Sequence, residues 1–357
     1  MKERLFVFIL LVFTGNQLFS QIPEGYYNTA SGLYGTNLQQ ALHDIIDNHT
    51  SVTYSSLWTY FQDTDKKPDG KVWDMYSDVP GGTPAYEYTF ITDQCGNYNS
   101  EGDCYNKEHS FPASWFNDGY PMYSDMFHLV PTDGYVNNKR SNYPFGEVGT
   151  ASWTSTNGSK LGNCVSTGYS GTVFEPIDAY KGDFARNLFY MATRYYKEDT
   201  GWPGSDMVSG SQPKPWAIAM LLEWHQADPV SQKEIDRNNA IYAIQHNRNP
   251  FIDHPEYAAN IWSPNALAEE GVKAQHLITI FPTPSSGRCY FDLPEGSESK
   301  DIALCVHSAS GTSVTPAFAI NNTTVTVNLD NMAAGMYVLV LINNQTGRHY
   351  IGKILVH

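Results

Sequence analysis

Tyr105-Asn106-Lys107-Glu108-His109-Ser110-Phe111-Pro112, then Asp125-Met126-Phe127-His128-Leu129-Val130-Pro131, then Thr132-Asp133-Gly134-Tyr135-Val136-Asn137-Asn138-Lys139-Arg140-Ser141-Asn142, decide the fold of this chain. The second segment reads as a strand. The third turns into a short helix, with Thr132 or Asp133 as its cap. If the first segment is also extended, the order is strand, loop, strand, helix. That ββα arrangement brings Asn137 back toward Glu108 although the two are far apart in the chain. In an extended segment adjacent side chains point to opposite faces, so Glu108 and His109 address a common centre from different directions.

These residue types suit one chemistry. Hydrolysis of a phosphodiester needs a base to activate water, a cation to neutralise charge building on the phosphate, and a proton or metal for the leaving oxygen. Glu108 and His109 supply a carboxylate and an imidazole. A carboxylate and the carboxamide oxygen of Asn137 are hard ligands suited to Mg²⁺. Arg140 lies three residues after Asn137, on the same helix face, where it pairs with a phosphate. His128, on the second strand, orients His109 or touches phosphate. The bland alternatives are a surface Glu beside a structural His, a turn asparagine and a solvated arginine.

Outward from this centre, four regions are expected. Residues 1–21 read as a signal peptide: Lys2 and Arg4 precede an apolar run from Leu5 to Phe13 that is too short to span a bilayer. Residues 22–260 form a mixed α+β domain. Residues 261–275, opening with Trp262-Ser263-Pro264-Asn265, are a linker, and 276–357 a small β-rich unit. Within the main domain Leu38 to His49 is expected to be helical and 86–92 a strand. The Gly-, Ser- and Thr-rich stretch from Gly146 to Gly171 is expected to be a loop. Phe184, Leu188, Met191 and Tyr195 recur at helical spacing. Trp216 to His225 is a second helix, and Ser231 with Glu234 makes a capping box for a third. In the tail, Val325, Val327 and Leu329 alternate with polar residues, as does Tyr337 to Ile342. A turn at Asn343, Asn344 and Gly347 precedes Tyr350 to Val356, which is an antiparallel pattern.

A hydrophobic content of 41% excludes wholesale disorder. The formal net charge of -15 is unusual for a phosphate binder and calls for a metal ion or a local basic site to offset it. Twenty-four tyrosines suit planar or amphipathic ligands, or a Tyr-rich core. Of the five cysteines, Cys95 with Cys104 would close a small loop, and Cys289 with Cys305 would bridge two tail strands, leaving Cys164 unpaired. Spacing alone leaves the pairing open. There is no His-Glu-x-x-His motif and no nucleophile elbow.

The block Asn106 to His109, the block Asp125 to Pro131 and the block Asp133 to Gly146 resemble the bacterial endonuclease I family. So do Phe174-Glu175-Pro176 with Lys181 to Arg186, Trp224-His225, Asp228 to Val230, Arg237-Asn238, and Asn247 to Asp253. The resemblance covers roughly residues 25–258. It implies a ββα-metal nuclease core with surrounding helices, in which His109 is the general base and Glu108 and Asn137 hold Mg²⁺, with Mn²⁺ or Ca²⁺ as substitutes. Water activated by His109 attacks phosphorus in line and leaves 5'-phosphate products on DNA or RNA, with little sequence specificity. The family's phosphate-binding arginine has no counterpart between Ser110 and Ser124. Arg140 is the expected substitute, with Arg186 and Arg248 behind it. In the tail, Ile280 to Gly287, Gly335 to Leu339 and Gly352 to Val356 resemble a type IX secretion C-terminal sorting domain. This implies a small β-sandwich read by an export system, and a secreted or surface-attached protein. Apart from the resemblance, a monomer without stable membrane insertion is expected. The competing reading is a secreted glycan- or surface-binding module with no catalysis, in which Glu108 and His109 are incidental.

Overall fold

Leu38, Leu42 and Ile46 fall on one helical face, and all three are fully buried in α1 (Gly35–Ile46). The computed structural model describes residues 22–263 and, beyond them, 276–294, 297, 302–308, 313–330, 332–343 and 348–357. The expected leader, residues 264–275 of the linker and the part of the expected turn at 344–347 lie outside the described residues. The chain divides into two units, one ending at Ser263 and the other starting at Pro264.

The first unit mixes helices with several small sheets. After α1 come α2 (Leu57–Thr64), β1 (Tyr105–His109), β2 (Leu129–Asp133) and α3 (Gly134–Arg140). Then follow β3 (Val148–Thr154), β4 (Lys160–Cys164), β5 (Thr172–Glu175) and α4 (Asp178–Arg194), and a two-stranded ribbon of β6 (Val208–Ser209) and β7 (Gln212–Pro213). The helices α5 (Pro215–Ala227), α6 (Gln232–Gln245), α7 (Pro250–Asp253) and α8 (Glu256–Trp262) complete it. α4 is buried on all sides from Tyr180 to Arg194, and α1, α5 and α7 pack against it. The box at Ser231 forms as its spacing predicts, each partner satisfying the other's backbone N–H.

Three expectations are corrected here. Residues 86–92 form no strand. Two of their backbone donors are taken by side chains, Asp93 accepting from Thr89 N–H and the Tyr105 hydroxyl from Ile91 N–H, and Thr92 N–H turns back to the Phe90 carbonyl. The 146–171 stretch is not a loop, because β3, β4 and β5 make a three-stranded antiparallel sheet. β3 is mostly solvent-exposed, so its small polar residues meet no burial demand, and Gly162 stands where a Cβ would lie 2.3 Å from the Thr150 carbonyl oxygen. Finally, Ile261 and Trp262 are the end of α8 rather than linker, with Ile261 buried and Trp262 stacked on Phe189 at 4.5 Å.

The second unit contains β8 (His276–Leu277), β9 (Arg288–Asp292), β10 (Ile302–Ser308), β11 (Ser313–Val314), β12 (Phe318–Asn321), β13 (Thr324–Asn328), β14 (Gly335–Asn343) and β15 (Arg348–Val356). One sheet has the order β11-β10-β14-β15-β8, the other β12-β13-β9. Inward residues of both, among them Phe291, Leu304, Val327 and Leu341, form one cluster. Cys95 and Cys104 are bridged, with Cα atoms 5.2 Å apart, whereas Cys164, Cys289 and Cys305 are free. The Cys289–Cys305 bridge fails because strand alternation aims the two apart. Cys289 is fully buried on β9, while Cys305 sits between the core-facing Leu304 and Val306.

Candidate active site

β1 and β2 pair antiparallel, with Glu108 opposite Val130 and His109 opposite Leu129. β2 is buried at every position and runs straight into α3. Asp133 sets that junction. Its Oδ1 caps α3 by accepting from Val136 N–H at 2.8 Å. Its Oδ2 accepts from the Tyr88 hydroxyl at 2.5 Å and from Gly102 N–H at 2.8 Å. Gly134 opens the helix against the disulfide loop, where a Cβ would meet Tyr98 at 2.7 Å and Cys95 Sγ at 3.0 Å.

Period-two alternation puts Asn106 and Glu108 on one face of β1 and Lys107 and His109 on the other. α3 meets the first face. Asn137 Nδ2 donates to Asn106 Oδ1 at 2.8 Å, while among the described residues its own Oδ1 accepts no hydrogen bond. Glu108 is 2% exposed. Its Oε1 accepts from the Tyr76 hydroxyl at 2.8 Å and faces Arg140 Nη1 at 3.1 Å. Its Oε2 accepts nothing among the described residues. Burial pushes this carboxyl up to about 7, against the opposing pull of Arg140 and the Tyr76 hydroxyl. Two hard oxygens without hydrogen-bond donors, one on a carboxylate whose charge burial disfavours, are a donor set that fits a divalent cation.

His109 is half-buried. Its Nε2 lies 3.1 Å from the Tyr123 carbonyl oxygen, so that nitrogen carries the proton and Nδ1 keeps the lone pair. Burial, and then the charges of His128, Arg140 and Lys107, push the imidazole down to about 3, so it is neutral. Tyr54 stacks on the ring at 5.8 Å and Tyr123 lies at 5.0 Å.

The other expected residues are placed differently. Arg140 is 1% exposed. Its Nη1 donates to the His109 carbonyl at 2.9 Å and its Nη2 to the Ser110 carbonyl at 2.7 Å, so it clamps the end of β1 and has no surface from which to take phosphate. His128 is fully buried, with Nε2 2.7 Å from the Met122 carbonyl oxygen, and packs beside His109 at 5.4 Å. Arg186 pairs with both oxygens of Glu234, and Arg248 with both oxygens of Asp253 and with Asn239. All three arginines are thus buried and spend their donors on partners within the protein, where the sequence reading expected one of them to face phosphate. Tyr76 and Lys107 were missed. No spacing announces Tyr76, but the position of Lys107 two residues before His109 is a readable signal.

A second group with ligand-forming atoms, His43, Asp47 and Glu198, lies elsewhere in the first unit, outside β1, β2 and α3. Arg194 occupies it, pairing with Asp47 and with Glu198 at 3.0 Å each.

The family model described as Endonuclease I matches residues 34–256, and the Secretion system C-terminal sorting domain model matches residues 279–357. The chain is 39% identical to the Extracellular ribonuclease of Bacillus amyloliquefaciens over 67% of its own length and 78% of that protein. To the Extracellular ribonuclease of Bacillus subtilis (strain 168) it is 36% identical, over 66% of its own length and 78% of that protein. To Endonuclease-1 of Buchnera aphidicola subsp. Baizongia pistaciae it is 28% identical, over 36% of its own length and 46% of that protein.

Proposed function

This chain belongs to the endonuclease I family, and from that premise we propose that it is a metal-dependent phosphodiesterase cutting RNA or DNA with little sequence specificity. It is a nuclease that is secreted or held at the cell surface. We read β1, β2 and α3 as a ββα-metal core within a catalytic region of residues 22–260. We read the two tail sheets as the faces of a small β-sandwich over residues 276–357, recognised by type IX secretion machinery. Among the described residues no helix is long and apolar enough to cross a membrane.

The observation that carries this reading is the bond from His109 Nε2 to the Tyr123 carbonyl. It leaves Nδ1 as the acceptor for a proton from the attacking water, and the carbonyl stabilises the imidazolium that results. Arg140 holds the His109 and Ser110 carbonyls and so fixes the ring's origin. Glu108 Oε2 and Asn137 Oδ1 would hold the cation. When bound, it supplies positive charge against the phosphate and the leaving 3'-oxygen. Mg²⁺ is the ion these oxygens suit best, with Mn²⁺ and Ca²⁺ as tests of selectivity.

The full chain is to be incubated with plasmid DNA and with RNA, with and without EDTA, and with each ion restored. Cleavage is expected to stop in EDTA and return with the metal. His109→Ala is expected to lose about 10²–10⁴-fold in rate while still binding substrate. Undiminished cleavage by either would refute the reading.

A further inference from the structure

With Arg140, Arg186 and Arg248 sealed in the interior, the site needs another cation to meet substrate phosphate. On the His109 face of β1 the structure offers Lys107. Its ammonium lies 3.9 Å from the centre of the Tyr54 ring and 4.1 Å from that of Trp58. Among the described residues it makes no ion pair and no hydrogen bond. Other lysines of this unit behave differently: Lys67 is matched by Asp78, Lys181 by Glu175 and Lys233 by Asp183. An ammonium partly withdrawn from water and held only by ring faces is a site for an incoming anion.

The rings around it continue outward. Tyr54, which stacks on His109, meets Tyr123 at 4.6 Å, and Tyr123 meets Tyr120 at 5.6 Å. Tyr120 is 58% exposed. A row of tyrosines therefore leads from solvent to the imidazole. Ring faces of this kind bind bases that are free to unstack, and a duplex keeps its bases on one another.

We infer that Lys107 binds a substrate phosphate beside His109 and that the tyrosine row receives an unpaired base, so that single-stranded nucleic acid is the preferred substrate. This rests on the nuclease reading above and adds to it both a substrate class and the identity of the missing cation.

The test is steady-state kinetics of the full chain on an RNA oligonucleotide, alone and hybridised to its complement, at several salt concentrations. Lys107→Gln keeps the first part of the side chain and a polar end, and removes the charge. It is expected to raise KM at least ~10-fold with a smaller change in kcat, and to flatten the slope of log(kcat/KM) against log[salt] by about 0.7, the share of one phosphate contact on a single strand. Lys107→Arg is expected to stay within a few-fold of the parent. Tyr120→Ala is expected to lower the single-strand to duplex ratio by about 5- to 100-fold, the range of one stacked base. A Lys107→Gln enzyme with the parent's KM and salt slope overturns the inference, as does a parent enzyme that cuts the duplex equally well. His109→Ala run alongside separates the two failures. If it is inactive while Lys107→Gln matches the parent, only this inference falls. If it is fully active, the nuclease site itself is misplaced.

Discussion

The two units bury different things. In the tail the interior is a run of alternating strand residues, Phe291, Leu304, Val325, Val327, Leu339 and Leu341, with Ser285 and Asn343 as the buried polar residues among those described. The first unit has an apolar core as well, but charge is threaded through it. Arg140, Arg186 and Arg248 are each at or below 1% exposed, and Arg237 pairs with Asp65 at 2.8 Å while donating to the carbonyls of Met126 and Leu129. Apolar burial is non-directional and tolerates small shifts, whereas a guanidinium with three acceptors fixes where each one stands. The unit that does chemistry is the one that is built on directional bonds. Groups that do chemistry must be held to within a fraction of an ångström.

That contrast can be broken in three ways. All eight tryptophans lie before Pro264, so indole fluorescence reports on the first unit alone. Arg140→Ala leaves the Glu108 carboxylate and two carbonyls without their partner, and is expected to cost that unit about 3–5 kcal/mol in a urea titration read by fluorescence. Arg140→Leu combined with Glu108→Leu should recover part of the loss without recovering activity. A single variant as stable as the parent would remove the directional-bond argument. Leu304→Ala empties volume in the tail and is expected to cost about 3 kcal/mol there. The far-UV β signal should then soften while the fluorescence midpoint stays put. A shifted midpoint would mean that the units do not unfold independently.

The graded effect is acid sensitivity. Burial alone would raise Asp125, but His49, His128, the Gln245 amide and Phe127 N–H outweigh it and hold the carboxyl below its usual range. Its contribution is present above the ordinary carboxylate value and is lost as pH falls through the lowered one. His49 acts in the same direction: burial lowers its imidazole, so below about 6.5 the unfolded chain takes up a proton that the folded one refuses. These two groups should therefore lower fluorescence-detected stability as pH falls, against the buried carboxyls of Asp74, Glu108, Asp228 and Glu234, whose raised values act in the opposite direction. Asp125→Asn should flatten the carboxylate part of that fall, and an unchanged acid limb would count against the assignment.

The same contrast decided what could be read in the sequence. Val325, Val327 and Tyr337 to Ile342 announced strands because a half-buried strand needs period two. Phe184, Leu188, Met191 and Tyr195 announced α4 for the analogous helical reason. The order strand, strand, helix was legible around Glu108 and Asn137, and it is why α3 meets the Asn106 and Glu108 face of β1, with Asn137 bonded to Asn106. Burial of the arginines was not legible. Arg186 finds Glu234 across 48 positions and Arg237 finds Asp65 across 172, and no local spacing encodes either pairing. The β3–β4 hairpin was missed because strands facing water carry Ser and Thr freely. The 86–92 stretch misled because its aromatic alternation serves contacts with Tyr105 and Asp133 rather than a ladder.

Asp133 fastens three things at one carboxylate: the start of α3, the Tyr88 segment and the Gly102 backbone inside the disulfide loop. Anything that tugs on that outer loop pulls on the helix bearing Asn137. If Asn137 holds the cation as proposed, a bulky label or a bound antibody fragment at the exposed Asn99 or Ser100 is expected to weaken cation binding from a distance, as a handle turns a latch on the far side of a door.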